Sequence, residues 1–144
     1  MLTDEYFMNE AIKEALKALA NDEVPIGAVL VTNQRIIARG YNQVEQLHDV
    51  TAHAEILCIT AASAHFQNKY FPDSTLYVTL EPCMMCATAL GWAQVGRVVY
   101  GAADLKKGFS NFTPSVLHSK AEVLAGVMEN ECSSIIKEFF KSKR

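Results

Sequence analysis

Two short segments of the chain carry residue types that bind metals and move protons. His53 and Glu55 lie in the sequence TAHAE, and Cys83 and Cys86 lie in EPCMMC. One imidazole and two thiolates suit zinc and other borderline metals. A structural metal site closes with a fourth protein ligand, whereas a catalytic site keeps that position open for water. The pattern therefore predicts a hydrolytic metal centre in which Glu55 is no ligand but transfers protons.

The spacing of these residues indicates where the metal lies relative to the helices. Cys83 and Cys86 are three positions apart, so the first turn of a helix places them on one face. His53 and Glu55 are two apart and would point in roughly opposite directions inside a helix. Both serve one site only if that site lies beyond the helix end. We therefore expect two helix N-termini to converge on one metal, where their dipoles stabilise thiolates.

Helices and strands that could position these segments follow from the hydrophobic pattern. Thr3 is suited to cap a first helix. Two short apolar runs, 28–31 and 36–38, flank a turn-like Thr-Asn-Gln, which indicates an antiparallel hairpin. The other predicted elements are a helix from Thr51 to about Ala64 capped by Asp49 or Thr51, a strand over 75–80, a helix from Pro82 to about Gln94, strands over 98–100 and 122–124, and a helix over 129–143.

The two terminal helices have apolar faces that we expect to point inward. These faces consist of Met8, Ile12, Ala15, Leu16 and Leu19 in the first helix, and Cys132, Ile135, Ile136, Phe139 and Phe140 in the last. Residues 105–120 show the least regular pattern, and a short helix is expected around 114–118. Alternating helices and strands predict an α/β fold whose largely parallel sheet is covered on both faces, and the opening hairpin makes that sheet mixed.

Composition narrows the class of protein. The 144 residues fit a single domain over 1–144, and half of them are hydrophobic. No apolar run approaches the ~20 residues of a membrane span, and the acidic start of the chain does not resemble a signal peptide. We therefore expect a cytoplasmic protein. The net charge of −3 argues against a sequence-blind nucleic-acid binder, which would be basic overall.

The two metal-binding segments resemble a known family. H-A-E followed by P-C-x-x-C at a later helix start is similar to the zinc deaminases of the cytidine and deoxycytidylate deaminase superfamily. VPIGAVLV, TAHAEI, TLYVTLEPCMMCA, GRVVYGA and ECSSIIKEFF resemble bacterial tRNA adenosine deaminases over nearly the whole chain. The resemblance implies a three-layer α/β/α sandwich with a mixed five-stranded sheet, a zinc cofactor, a homodimer, and conversion of adenosine to inosine at the wobble position of the tRNA anticodon loop.

The same resemblance implies residues that bind the substrate. Asn42 would contact the flipped base, while Pro25, Ile26 and Ala54 would line its pocket. Asp104 would lie near the nucleic-acid backbone.

One region departs from the family pattern. Residues 105–120 are shorter than the corresponding loop and lack its His-Arg pair, and Ala103 stands where some relatives carry Arg. A deaminase of a free base or nucleoside, of guanine, cytosine or adenosine type, is therefore an alternative. In it, Phe109 and Phe112 could form a lid; in an RNA enzyme they could stack on bases, and in either they could be core residues. A third hypothesis is a non-catalytic subunit that binds zinc or RNA, but that subunit would have no need of Glu55.

Basic residues near the loop and the C-terminus have two interpretations. They could form a phosphate-facing patch, or they could be solvated residues that suit the end of a helix. These residues are Lys106, Lys107, Lys137, Lys141, Lys143 and Arg144.

Overall fold

A five-stranded mixed sheet forms the centre of the structure, a computed structural model that describes residues 1–143. The strands run in the order β2-β1-β3-β4-β5. The elements are α1 (Asp4–Ala20), β1 (Gly27–Thr32), β2 (Arg35–Tyr41), α2 (Val44–Leu47), α3 (Ala54–Phe66), β3 (Ser74–Leu80), α4 (Met84–Trp92), β4 (Arg97–Ala102), β5 (Glu122–Ala125) and α5 (Glu129–Ser142). Arg144, one of the basic residues considered above, lies outside the described part.

The sheet confirms the predicted combination of a hairpin and parallel strands. β1 is antiparallel to both β2 and β3, whereas β3, β4 and β5 run parallel to one another. The hairpin turns at Asn33 and Gln34, which have φ angles of 51° and 64°. Two successive positive φ angles match the right-handed twist of the strands that they join.

The helices cover both faces of the sheet, as a three-layer α/β/α sandwich requires. Alternate strand residues point to opposite faces, so that Leu30 and Val98 belong to one core and Val29 and Val99 to the other. α3 and α4 close the first core, and α1 and α5 close the second. No helix in residues 1–143 combines the length and apolar character needed to cross a membrane.

The inward face of α1 differs from the prediction. Leu16 and Leu19 are 48% and 41% exposed, and Glu10 and Glu14 are buried in their place. The physical reason is that Arg39 of β2 donates hydrogen bonds to both carboxylates, which makes their burial tolerable. Periodicity of apolar residues cannot detect this pairing, because Arg39 is more than twenty positions away.

The predicted start of α3 was three residues early. The helix begins at Ala54, and neither Asp49 nor Thr51 is its cap. Asp49 instead accepts hydrogen bonds from the backbone N–H and the hydroxyl of Thr51, forming a turn ahead of the helix. Pro82 likewise precedes the cap residue Cys83 instead of occupying the first helical position, so α4 begins at Met84. The short α2 was not predicted.

The C-terminal third also corrects two expectations. Phe140 of α5 is 49% exposed, whereas Cys132 and Phe139 are buried as predicted. Residues 114–118 form no helix, because this segment packs its backbone on α4: a Cβ added to Gly91 would lie 2.1 Å from the carbonyl oxygen of Val116. A single 3-10 turn, Phe109–Asn111, lies earlier in the loop.

Candidate active site

The N-termini of α3 and α4 converge and bring the two predicted segments together. His53 is the cap residue of α3, and Cys83 is the cap residue of α4. The Nδ1 atom of His53 lies 3.7 Å from Sγ of Cys83 and 3.5 Å from Sγ of Cys86. The site therefore lies beyond both helix ends, as the spacing of His53 and Glu55 predicted.

The arrangement of these donor atoms fits a zinc ion. The three ligand atoms lie within 4.8 Å of one another. Zinc with ~2.3 Å bonds to sulfur and ~2.0 Å bonds to nitrogen, in tetrahedral geometry, places nitrogen and sulfur ligands roughly 3.5 Å apart. The nitrogen–sulfur distances of 3.5 and 3.7 Å agree with that value. His53, Cys83 and Cys86 supply three ligands, so one tetrahedral position stays available to a non-protein ligand.

Hydrogen bonds at the cluster favour a thiolate on one of the two cysteines. The Cys86 thiol and the His53 ring stabilise a charged Cys83, and the pKa of Cys83 falls to about 4 despite the opposing effect of burial. The same hydrogen bond to Cys83, together with burial, raises the pKa of Cys86. Cys83 also raises the pKa of His53. A bound cation would displace the remaining protons, because thiolates and neutral imidazole are the metal-binding forms.

Glu55 is the acidic group beside this cluster. It is 4% exposed, and burial raises its pKa to about 7. A hydrogen bond to the backbone N–H of Glu55, the charge of His53 and a hydrogen bond with the Cys86 thiol partly oppose that rise. The ion pairs among residues 1–143 all involve other carboxylates, so neither Lys nor Arg of this part neutralises Glu55. A carboxyl group with a pKa near neutrality can both accept and release a proton under physiological conditions.

Two clefts meet at His53. The first has a volume of about 470 Å³ and the second about 360 Å³, and Ile26 also lines both. The first is lined further by Asp22, Glu23, Val24, Asn42, Val44, Glu45, Ala54, Phe139 and Lys143. The second is lined further by Glu55, Leu80, Glu81, Cys83, Asp104 and Lys107. The cluster is therefore accessible from two directions, with the C-terminal helix bordering one cleft and the loop after β4 bordering the other.

Four of the five predicted substrate residues lie at these clefts. Asn42, Ile26 and Ala54 line the first cleft, and Ile26 and Asp104 line the second. Pro25 is buried and lines neither cleft. Asn42 is itself held in place, because its amide donates to the carbonyl of Val24 at 3.2 Å.

Two buried carboxylates hold the loops beside the clefts. Glu81 accepts hydrogen bonds from the backbone N–H of Asp104 and from both the N–H and the hydroxyl of Ser110. It is thus a structural acceptor. Glu23 accepts from the backbone N–H groups of Glu45 and Gln46. Sequence reasoning missed Glu23, and its position just before the VPIG segment was the only available signal.

The structure places the two aromatic residues of the loop, and two of the basic residues, in different surroundings. Phe109 is buried and packs edge-on against Tyr100, so it is a core residue and no lid. Phe112 is 45% exposed. Lys107 borders the second cleft and Lys143 the first, where Lys143 pairs with Asp22 at 2.5 Å. The proposed patch is therefore split across two sides of the metal cluster.

Comparison with known families identifies the type of site. Residues 1–102 match the model of the cytidine and deoxycytidylate deaminase zinc-binding region. The chain belongs to this family. It is a zinc-dependent deaminase, and both metal-binding segments lie within the matched residues.

Individual relatives extend the similarity beyond the matched region. The deaminase is 46% identical to a tRNA-specific adenosine deaminase of Bacillus subtilis (strain 168), with 100% of this chain and 92% of the relative covered. A solved structure from studies of A-to-I editing by tRNA:A34 deaminases at the wobble position is 44% identical, with a TM-score of 0.85 over 90% of this chain and 98% of that one. A guanine deaminase of Bacillus subtilis is 37% identical, with a TM-score of 0.69 over 71% of this chain and 66% of that one.

Proposed function

We propose that this deaminase converts adenosine to inosine in the anticodon loop of tRNA, at the wobble position, and that residues 1–144 form one catalytic domain. The observation that carries the proposal is the similarity to the tRNA-specific adenosine deaminase of Bacillus subtilis, which extends over the whole of this chain. That similarity includes α5 and the loop after β4, which border the two clefts and lie outside the family model.

His53, Cys83 and Cys86 would hold the zinc ion, and Glu55 would move the protons. Bound zinc acts as a Lewis acid that lowers the pKa of water to ~7. Deamination adds water to the purine ring and releases ammonia. Glu55 would take a proton from the attacking water and give it to the ring nitrogen as the oxygen bonds to the ring carbon. It would then take the remaining proton of the new hydroxyl group and give it to the amine, which leaves as ammonia while the oxygen becomes the carbonyl of inosine.

The proposed binding site of the adenine base is the first cleft at the point where it meets the second cleft beside His53, so that the ring lies between Asn42 and Glu55. The volume of the first cleft, about 470 Å³, is of a size typical for small-molecule sites, which span roughly 300–1,000 Å³. Asn42 would hydrogen-bond the base, and Ile26 and Ala54 would provide apolar contacts beside it. A base inside a loop must be turned out of its stack to reach a buried carboxylate such as Glu55.

The second cleft would accommodate part of the RNA that flanks the flipped base. Asp104 accepts hydrogen bonds from the backbone N–H groups of Lys106 and Lys107, so it shapes the loop that borders this cleft. Lys107 is available there for a phosphate group. Binding that depends on such contacts weakens as the salt concentration rises.

A side-by-side turnover assay tests this proposal. Zinc-loaded protein is incubated with an adenosine-bearing anticodon stem-loop and, separately, with a panel of free bases and nucleosides, with Glu55→Ala as the inactive control. Inosine in the RNA and no ammonia from the panel are expected. Failure to edit the stem-loop at any salt concentration would contradict the proposal.

The second candidate is deamination of a free base. The similarity to the guanine deaminase of Bacillus subtilis, at 37% identity over 71% of this chain, favours it. The burial of Phe109 in the core removes one of the two residues that could have formed its lid. Ammonia release from guanine alone, in the same assay, would establish this candidate.

The assembly and location belong to the same proposal. We propose a homodimer that forms through the outer face of α4, where Trp92 is 79% exposed and Met85 is also exposed. Sedimentation analysis should give the mass of two chains, and Trp92→Lys should shift it toward one. A tRNA substrate would place the protein in the cytoplasm.

A further inference from the structure

Glu23 lies between the two walls of the first cleft. It is 1% exposed, yet neither Lys nor Arg in residues 1–143 pairs with it. Its Oε1 accepts from the N–H of Glu45 at 3.0 Å, and its Oε2 accepts from the N–H of Gln46 at 2.7 Å. Glu23 belongs to one wall, the segment 21–26, and its two partners belong to the other, the segment 42–46, in which Glu45 lines the cleft and Gln46 follows it. The carboxylate therefore joins the walls.

Few other contacts join the second wall to the first, although the backbone N–H of Gln43 also donates to the carbonyl of Ala52 at 3.0 Å. α2, which forms most of this wall, contains no buried residue, so hydrophobic packing does not fix its position. Its remaining links to the first wall are hydrogen bonds. The backbone N–H of Asn42 donates to Ile26 at 3.0 Å, its side chain donates to Val24, and the side chain of Gln46 donates to Asn21 at 3.4 Å. The two bonds to Glu23 are the only charge-assisted ones of this group, and such bonds are roughly twice as strong as neutral ones.

We propose that Glu23 is a positioning residue for the substrate: its carboxylate fixes the wall of residues 42–46, and thereby sets how tightly the first cleft holds the base. Glu23 acts through Asn42 and α2 and need not touch the base. The identity of the substrate rests on the proposed function, whereas the role of Glu23 in the wall does not.

The chemistry of the two hydrogen bonds requires a carboxylate. Both oxygens accept from backbone N–H groups, and a glutamine of the same shape would present its NH₂ to one of those donors. Glu23→Gln therefore keeps the side-chain volume but replaces one hydrogen bond with two opposed donors. Glu23→Asp keeps the charge and loses one methylene, so it should retain part of the attachment.

The test compares Glu23→Gln and Glu23→Asp with a matched control, Glu14→Gln. Glu14 is also a buried carboxylate, but its partners are Lys17 and Arg39, and it lines neither cleft. In Glu23→Gln we expect hydrogen exchange at the amides of Glu45 and Gln46 to be faster by about tenfold. We expect KM for the stem-loop to rise by about tenfold and kcat to stay within about twofold, because Glu23 is remote from the proton transfer. Glu23→Asp should show a smaller rise in KM, and Glu14→Gln should show none.

The two readouts separate the possible failures. Unchanged exchange at Glu45 and Gln46, or faster exchange with an unchanged KM, would overturn the role of Glu23. A parallel loss of kcat, zinc and folded protein in both Glu23 variants would show that the residue is merely structural. If the wild-type protein edits no stem-loop, the proposed function fails, and the exchange measurement still decides whether Glu23 fixes the wall.

Discussion

The two faces of the sheet bury the same type of side chain for different purposes. On the α3 side, Glu55 has neither a Lys nor an Arg partner in residues 1–143, and burial raises its pKa to about 7. On the α1 side, hydrogen bonds from Lys13 and then Arg39 lower the pKa of Glu10. Glu14 on the same helix lies 3.3 Å from Arg39 and 2.8 Å from Lys17.

This contrast shows that burial alone does not give a carboxylate its role. On the α1 face a cationic partner keeps the carboxylate ionised and makes it a stabilising contact, whereas at Glu55 burial without such a partner raises the pKa and favours exchange of protons near pH 7. The same separation holds for Asp4 of α1, whose two oxygens each accept a hydrogen bond from Arg97 at 2.9 Å. Substitutions on the two faces should therefore affect different properties.

The largest effect is expected from removal of a metal ligand. Cys86→Ala should lose zinc and lower turnover by more than about 1,000-fold, because the site then retains two protein ligands. Its thermal midpoint should also fall, since metal binding is coupled to folding. Metal analysis, turnover and thermal unfolding measure the three effects. Full zinc content in this variant would show that the cluster is not the metal site.

On the opposite face, Arg39→Met should reduce stability and leave the chemistry intact. It leaves Glu10 without its Arg partner and Glu14 with Lys17 alone, so the free energy of unfolding should fall by about 1–3 kcal/mol. This loss is smaller than the ~3–5 kcal/mol typical of breaking a fully buried ion pair, because the side chain of Arg39 is partly exposed to solvent. Denaturant unfolding measures the change. A tenfold drop in turnover per folded molecule would contradict the view that the α1 face serves stability and the α3 face serves catalysis.

Acidification should weaken the α1 face in the same direction. Arg97 lowers the pKa of Asp4 below its ordinary 3.8, and Lys13 lowers that of Glu10 below its ordinary 4.5. A carboxyl group with a lowered pKa stabilises the fold above its ordinary pKa, and this contribution is lost as the pH falls through the folded pKa. The free energy of unfolding should drop below about pH 5, by roughly 1 kcal/mol for each carboxylate. Asp4→Asn should show a shallower drop, and an identical pH profile would refute this assignment.

The smallest effect is expected on the outer side of α1. Leu16→Gln should change the free energy of unfolding by less than about 0.5 kcal/mol, because Leu16 is 48% exposed. Met8→Ala, on the buried side of the same helix, should cost about 2–5 kcal/mol. Similar costs for both would mean that the helix presents the face predicted from periodicity.

The local features of the molecule were predictable from sequence, and the long-range ones were not. The metal ligands lie in two short segments, and the hairpin and the strand over 75–80 have strong local patterns, so each could be predicted. The burial of Glu14 depends on Arg39, which is 25 positions away. Glu23 binds backbone N–H groups, which carry no side-chain signature. The irregular segment beside Gly91 depends on backbone packing against α4, so helical propensity around Pro114 was misleading.

The most direct test of the contrast between the faces replaces one carboxylate on each. Turnover on the anticodon stem-loop, zinc content and unfolding are measured for Glu55→Gln and Glu14→Gln, two isosteric changes at buried positions. Glu55→Gln should retain zinc and fold, yet lose turnover by about 1,000-fold or more. Glu14→Gln should keep turnover within about twofold and lose roughly 1 kcal/mol of stability. A zinc-loaded Glu55→Gln that retained most of its activity would contradict the assignment of Glu55 as the group that moves the protons.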